Sequence, residues 1–299
     1  MFKNLIFVLI LFKIFVSQAQ DQTPIATYPF GSDVQYQKQI EAMIQIYEQT
    51  NEVKTLDSLV SLSFIYKDWE TSINYAKKAI LANPNAKRYF LLGVAAGFRA
   101  LEVPMFSSLK YVNIMKSAFE EAVRLESLNV SYLRAQVDVL LALPPILGGS
   151  IDKAQKLIQK IKSLNSVEGP LAQGSMYEIN DDLYSAKLVY NQLFDFLNQN
   201  YIFCSSAFIE DNRRNLSYDL VRIVADFQLN TKWGQFVISY FAKTYGQKDT
   251  VPIAWVFFQS AHLAKRSKNT ELMDFFISKA RLHLNKSPEL EPLLIALNL

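Results

Sequence analysis

The chain has 299 residues, of which half are hydrophobic, and a formal net charge of +3. A charge so near zero does not suggest a partner such as nucleic acid or an anionic membrane surface. The single cysteine excludes an intramolecular disulfide framework, and the low glycine and proline content argues against long disordered segments.

Residues 1–19 have the pattern of a secretory signal peptide. Lys3 precedes an apolar run from Leu5 to Phe12, and the segment ends in small residues up to Ala19. An uncleaved anchor is the less favoured alternative, because a membrane span needs about 20 apolar residues and Lys13 interrupts this stretch. We therefore expect cleavage after Ala19 and no integral membrane span in the mature chain.

An exported bacterial chain of this kind is expected in the periplasm or outside the cell. A lipid-anchored bacterial protein would carry a cysteine directly after its signal, whereas the cysteine of this chain is Cys204. The mature chain is therefore expected not to be lipid-anchored. Residues 20–32, which contain Pro24, Pro29 and Gly31, are interpreted as a flexible lead-in.

From Asp33 onward, apolar residues recur every three or four positions, as in Leu157, Ile158, Ile161 and Leu164. This spacing is the period of an α-helix. Short polar or Pro/Gly clusters interrupt the helical pattern, and no segment shows the alternation of a convincing strand. The sequence therefore predicts an all-α fold.

Several segments share one arrangement of small and large side chains. The second-helix copies are Ser72–Ala79 closed by Asn83-Pro84, Phe119–Ala122, Asp152–Ala154 and Ser185–Lys187, and the first-helix copies are Leu92-Gly93 and Gln173–Tyr177. From Gly174 to Ala186 is 12 residues, and from Ala186 to Leu193 is 7 residues. Small residues let paired helices approach, while a large residue such as Tyr190 fills the gap to the next pair.

This arrangement resembles the tetratricopeptide repeat, and the resemblance extends over residues 56–197. It implies helical hairpins stacked into an α-solenoid, in which neighbouring hairpins supply the core that one hairpin lacks. It also implies recognition of a protein or peptide by the concave face, which the first helix of each repeat builds.

Two departures from the regular repeat are similar to a subgroup of exported bacterial tetratricopeptide proteins. The second hairpin carries extra residues between Gly93 and Ala122, and a Pro-Pro-x-x-Gly-Gly turn covers residues 144–149. Backbone amides after the two glycines could hold an anion. A sharp turn is favoured over a ligand loop, because the lysine and the spacing of a phosphate loop are missing.

We assign residues 33–197 to tetratricopeptide-like repeats and residues 198–299 to a divergent helical part. Within that part, the apolar spacing around Trp255 and Ile277 indicates a possible final repeat, and residues 290–299 indicate a capping helix. No linker rich in glycine, serine or proline divides the chain into independent domains.

The residues that usually carry catalysis are scarce. His262 and His283 have no partner cysteine and no His-Glu-x-x-His pattern, so they are interpreted as ordinary histidines, although they could face each other and hold a metal. An enzyme would need a cleft that joins one of them to a carboxylate. The sequence therefore predicts a protein that is not an enzyme and has no catalytic residue, metal site or cofactor.

The function expected from the sequence is that of a non-catalytic protein- or peptide-binding scaffold of the bacterial cell envelope, without a nucleic-acid partner. The alternative is a small-molecule-binding accessory protein of solute transport, in which the extended hairpin closes one end of a pocket. Polar or aromatic residues on the predicted first helices are the candidate binding residues. They are Tyr66, Tyr89, Arg99, Arg134, Gln136, Asp138 and Tyr177.

Overall fold

The structure is a computed structural model that describes residue 31, residues 33–200 and residues 214–298. The predicted signal peptide, nearly all of the predicted lead-in, and Cys204 lie outside the described residues. The described residues form fourteen α-helices and no strand, so the predicted all-α class is confirmed. None of these helices combines the length and apolar composition that a membrane span requires.

The helices follow one another with short connections. The first seven are α1 (Val34–Thr50), α2 (Val53–Ile65), α3 (Trp69–Ala82), α4 (Ala86–Glu102), α5 (Met105–Leu125), α6 (Val130–Ala142) and α7 (Ile151–Leu164). The other seven are α8 (Glu168–Ile179), α9 (Leu183–Asn200), α10 (Arg214–Phe227), α11 (Thr231–Lys243), α12 (Ile253–Arg266), α13 (Thr270–Arg281) and α14 (Glu291–Asn298).

After α1, the helices pack as six antiparallel hairpins, which are α2/α3, α4/α5, α6/α7, α8/α9, α10/α11 and α12/α13. The first helices also contact one another across hairpins, as α6 contacts α8 and α10 contacts α12. The second helices of the described hairpins make no comparable contact with one another. The first helices therefore form the inner face of the array, and the second helices form its outer face.

Glycine allows close approach within two of the hairpins. A Cβ atom on Gly93 would lie 2.4 Å from the Phe119 ring, and a Cβ atom on Gly174 would lie 2.2 Å from the Tyr190 ring. Both rings are completely buried. Each small residue of a first helix thus accommodates a large residue of its second helix, which fixes the separation of the pair.

The extra residues of the second hairpin lengthen its helices. α4 has 17 residues and α5 has 21, whereas α6 and α7 have 13 and 14. The following Pro/Gly segment forms a turn in which Gly148 adopts a φ of 97°, a conformation that glycine favours. Ser150 then caps α7 by accepting a hydrogen bond from the Lys153 backbone N–H at 3.3 Å.

The array curls far enough for distant hairpins to meet. Lys67, in the turn between α2 and α3, donates a hydrogen bond from Nζ to the backbone oxygen of Gln247 at 3.0 Å. Gln247 lies in the connection between α11 and α12. The array is therefore curved, with the turn of its first hairpin close to the connection before its last hairpin.

Candidate functional site

A continuous stripe of polar side chains crosses the inner face from α6 to α12. This inner stripe consists of Arg134, Asp138, Glu168, Ser175, Glu178, Asp219, Arg222, Asp226, Gln259 and His262. The four helices that carry it are the first helices of four different hairpins. The stripe is therefore a product of the stacking and not of any single helix.

The most buried part of the inner stripe lies between α6 and α8. Arg134 and Asp138 are four residues apart on α6 and thus share one face, and Arg134 Nε donates to Asp138 Oδ1 at 3.0 Å. Arg134 Nη1 also donates to Glu168 Oε2 at 3.3 Å. Burial disfavours the charged guanidinium, but Asp138 and Glu168 outweigh burial and raise the pKa of Arg134.

The centre of the inner stripe joins α8 to α10. The two Nη atoms of Arg222 donate to the two carboxylate oxygens of Glu178 at 2.8 and 2.9 Å, and Nη1 also donates to Asp226 Oδ2 at 2.8 Å. Such bidentate pairs are strong and directional. Burial opposes the charge of Arg222, yet Glu178 and Asp226 raise its pKa. The Arg222 side chain remains 23% accessible, so this charged cluster is open to solvent on one side.

The far end of the inner stripe joins α10 to α12. His262 Nδ1 lies 3.6 Å from Asp226 Oδ1, a separation too long for a hydrogen bond. Burial lowers the pKa of His262, and Asp226 only partly opposes this effect, so the imidazole is neutral at pH 7. Asp226 is already bound by Arg222 and does not orient the imidazole. This end can therefore bind a polar group, but it lacks the aligned pair that acid–base catalysis uses.

The inner stripe is acidic as a whole. It contains five carboxylates and two guanidinium groups, which give a formal charge of −3 with His262 neutral. Three of its carboxylates, those of Glu168, Glu178 and Asp226, have 29%, 22% and 36% of their side chains exposed. A positively charged group is therefore the complementary ligand for the inner stripe.

The structure brings three of the predicted binding residues together on α6. Arg134 and Asp138 belong to the inner stripe, and Gln136 lies between them in sequence and is half-buried. The Gln136 Oε1 atom is buried and has no hydrogen-bond partner among the described residues. Tyr177 on α8 is also half-buried and packs between the apolar residues of α6/α7 and those of the C-terminal hairpins.

The other predicted residues lie in three separate places. Tyr66 is buried at the end of α2, where its ring stacks on Tyr36 at a centroid distance of 4.7 Å. Tyr89 packs beside the small apolar cluster around Tyr132. Arg99 pairs with Glu70 and Glu102 at 3.2 Å each, away from the inner stripe.

Sequence reasoning missed Glu168, Glu178, Arg222 and Asp226. Their polar spacing on α8 and α10 is the same as that of any solvated helix face, and the contacts between helices, Arg134–Glu168 and Glu178–Arg222, join residues 34 and 44 positions apart. The available signal was the pair Arg222 and Asp226, four residues apart inside an otherwise apolar segment.

The described residues contain no group of three or more His, Cys, Asp or Glu side chains that could hold a metal ion. Comparison with protein-family models and with curated protein sequences gives no match to this chain. The functional interpretation therefore depends on the geometry of the inner face.

Proposed function

We propose that this chain is a non-catalytic binding protein of the bacterial cell envelope, with tetratricopeptide-like hairpins forming an α-solenoid, and that it holds a segment of a partner protein against its inner face. One observation carries the proposal, namely the continuous acidic stripe across four first helices. The hairpin order and the Gly93–Phe119 and Gly174–Tyr190 contacts support the solenoid assignment. The pattern of residues 1–19 supports export.

The burial of charged side chains in the inner stripe is energetically unfavourable, which favours a role for the stripe in recognition. Burying an ion costs several kcal/mol even after relaxation, and well-packed apolar residues often stabilise a fold as well or better. Arg134 and Asp138 are nevertheless almost fully buried on the inner face. A row of oriented charges lowers the free energy of unfolding relative to an apolar core, but it selects a partner of opposite charge.

The geometry also indicates the chemistry of the partner segment. Glu168 and Glu178 on α8 and Asp226 on α10 present partly accessible carboxylates. An extended peptide crossing from α8 to α10 would pass all three, and its Lys or Arg side chains would contact the accessible faces of these carboxylates beside Arg134 and Arg222. Groove recognition of this kind needs no reactive residue.

The proposal can be tested by selecting displayed peptides on the purified chain and measuring their affinity by fluorescence anisotropy. We expect enrichment of Lys or Arg and weaker binding at higher salt concentration. Glu168→Gln should weaken binding by about tenfold, since charge-assisted hydrogen bonds contribute about 1.5–3 kcal/mol. Glu121→Gln is the matched control, because Glu121 forms an exposed ion pair with Arg124 on α5.

Two outcomes would count against peptide binding. If the Glu168→Gln variant and the unaltered chain bound the selected peptides with equal affinity, the inner stripe would not take part in peptide recognition. Retention of a small molecule by the purified chain, with no peptide selected, would favour the transport-accessory alternative.

A further inference from the structure

A second candidate site lies away from the inner stripe, in a groove between α1 and α3. Both helices pack against α2, and the groove between them has a volume of about 480 Å³. Ligand-binding clefts commonly have volumes of about 300–1,000 Å³. This outer groove is lined in part by Tyr36, Ile40, Ile44, Asp68, Tyr75 and Lys78.

One end of the outer groove is rigid and carries a satisfied carboxylate. The Tyr36 hydroxyl donates to Asp68 Oδ2 at 2.7 Å, and the Thr71 backbone N–H donates to Asp68 Oδ1 at 3.2 Å. Tyr36 and Asp68 are 1% and 7% exposed. The negatively charged Asp68 carboxylate at this end is therefore held in place by hydrogen bonds from the protein itself.

The other end carries a positive charge. The Lys78 ammonium lies 5.0 Å from the centroid of the Tyr75 ring and 6.0 Å from that of Tyr47. These aromatic faces attract the ammonium and restrict its motion. Lys78 forms no ion pair with any described residue, so its charge is available to a ligand.

The wall between the two ends is mixed, because Gln37, Thr71 and Asn74 also line the groove, and its apolar side is formed by Ile40 and Ile44. Ile40 and Ile44 are four residues apart and thus lie on one face of α1. Tyr36 meets Asp68 near the start of both helices and Tyr47 meets Lys78 near their ends, so α1 and α3 run in the same direction. Lys78 follows Asp68 by ten residues on α3, which places their backbones roughly 15 Å apart.

We propose that the outer groove binds a small monocarboxylate with an apolar body. Its carboxylate pairs with Lys78, and its body lies along Ile40 and Ile44. A single lysine matches a single negative charge, whereas phosphate groups are usually held by several donors. The fixed charge of Asp68 repels a carboxylate from the opposite end and so sets the orientation of the ligand. This site is independent of the function proposed for the inner stripe.

The test uses the purified full chain labelled with ¹³C at isoleucine δ1 methyl groups, with 4-phenylbutyrate as the probe. Ile40→Val and Ile44→Val variants assign the two groove signals. We expect 4-phenylbutyrate to shift both signals saturably and the neutral 4-phenylbutanamide to bind about tenfold more weakly. Lys78→Met should weaken 4-phenylbutyrate binding by the same factor and leave the circular dichroism spectrum unchanged.

Lys77→Met is the matched control, because Lys77 is the exposed neighbour of Lys78 and does not line the groove. This variant should bind 4-phenylbutyrate as the unaltered chain does. Absence of a saturable shift at the Ile40 and Ile44 methyl groups would overturn the site. Equal binding of the acid and the amide, or an unaltered affinity in Lys78→Met, would overturn the assignment of a carboxylate ligand.

Discussion

Glu102 should make the stability of the fold depend on pH near neutrality. Its carboxyl group lies at the end of α4 and is 12% exposed. Burial raises the pKa of Glu102 from 4.5 to about 7, although Arg99 and Trp69 donate hydrogen bonds that favour the ionised form. The ionised carboxylate is therefore less stable in the folded chain than in the unfolded chain.

The sign and size of the effect follow from this difference. Between about pH 4.5 and pH 7 the folded chain keeps a proton that the unfolded chain has released, so the free energy of unfolding falls as the pH rises through this window. Each pKa unit is worth about 1.4 kcal/mol, which gives a total cost of about 3 kcal/mol above the window. Most of that cost, roughly 2.5 kcal/mol, develops between pH 5 and pH 8.

Glu102→Gln removes this titration and keeps an oxygen that can accept from Trp69. Urea unfolding of both chains, followed by circular dichroism, should show the variant gaining about 2.5 kcal/mol relative to the unaltered chain between pH 5 and pH 8. Glu121→Gln, at an exposed position, should give a constant difference. A pH-independent difference for Glu102→Gln, or a difference of opposite sign, would refute the reasoning.

Two further predictions concern the packing of the array. Gly174→Ala forces a Cβ atom against the buried Tyr190 ring, so overpacking of about 1–3 kcal/mol should exceed the gain in helix propensity of about 1 kcal/mol. Gly246→Ala, which meets open space, should be nearly neutral in the same unfolding assay, and equal losses would contradict the close-approach argument. Arg134→Met leaves Asp138 without its guanidinium partner and should cost about 3–5 kcal/mol. The double variant Arg134→Met/Asp138→Leu should recover much of this loss, and a double variant less stable than Arg134→Met would contradict the claim that the loss comes from Asp138 left without the guanidinium.

The helices could be predicted from the sequence because their signal is local. Apolar residues every three or four positions define a buried helix face, and the predicted all-α class followed from that spacing. The repeated pattern also predicts that small residues such as Gly174 let paired helices approach, but it assigns Tyr190 to the gap before the next pair. The structure shows that the two residues meet.

The inner stripe could be predicted only in part, because its members become neighbours through stacking. Arg134 and Asp138 are close in sequence and were selected as candidates, whereas Glu178 and Arg222 are 44 residues apart. Charged residues on a helix usually face solvent, so nothing local marks this pair as an inner contact. The outer groove was missed for a related reason, since Ile40 and Lys78 lie on helices whose separation depends on α2.

The hydrogen bond between Lys67 and Gln247 joins two points that are 180 residues apart. In an array whose hairpins contact only their neighbours in sequence, the two ends are connected only through the hairpins between them. The hydrogen bond between the turn of the first hairpin and the connection before the last hairpin joins the two ends of the array to each other. An exposed polar link of this kind contributes at most about 1 kcal/mol, so the packing between neighbouring hairpins, and not this bond, determines most of the stability of the array. The separation of the first and last hairpins is therefore restricted by a contact between residues far apart in sequence, in addition to the stacking of neighbours.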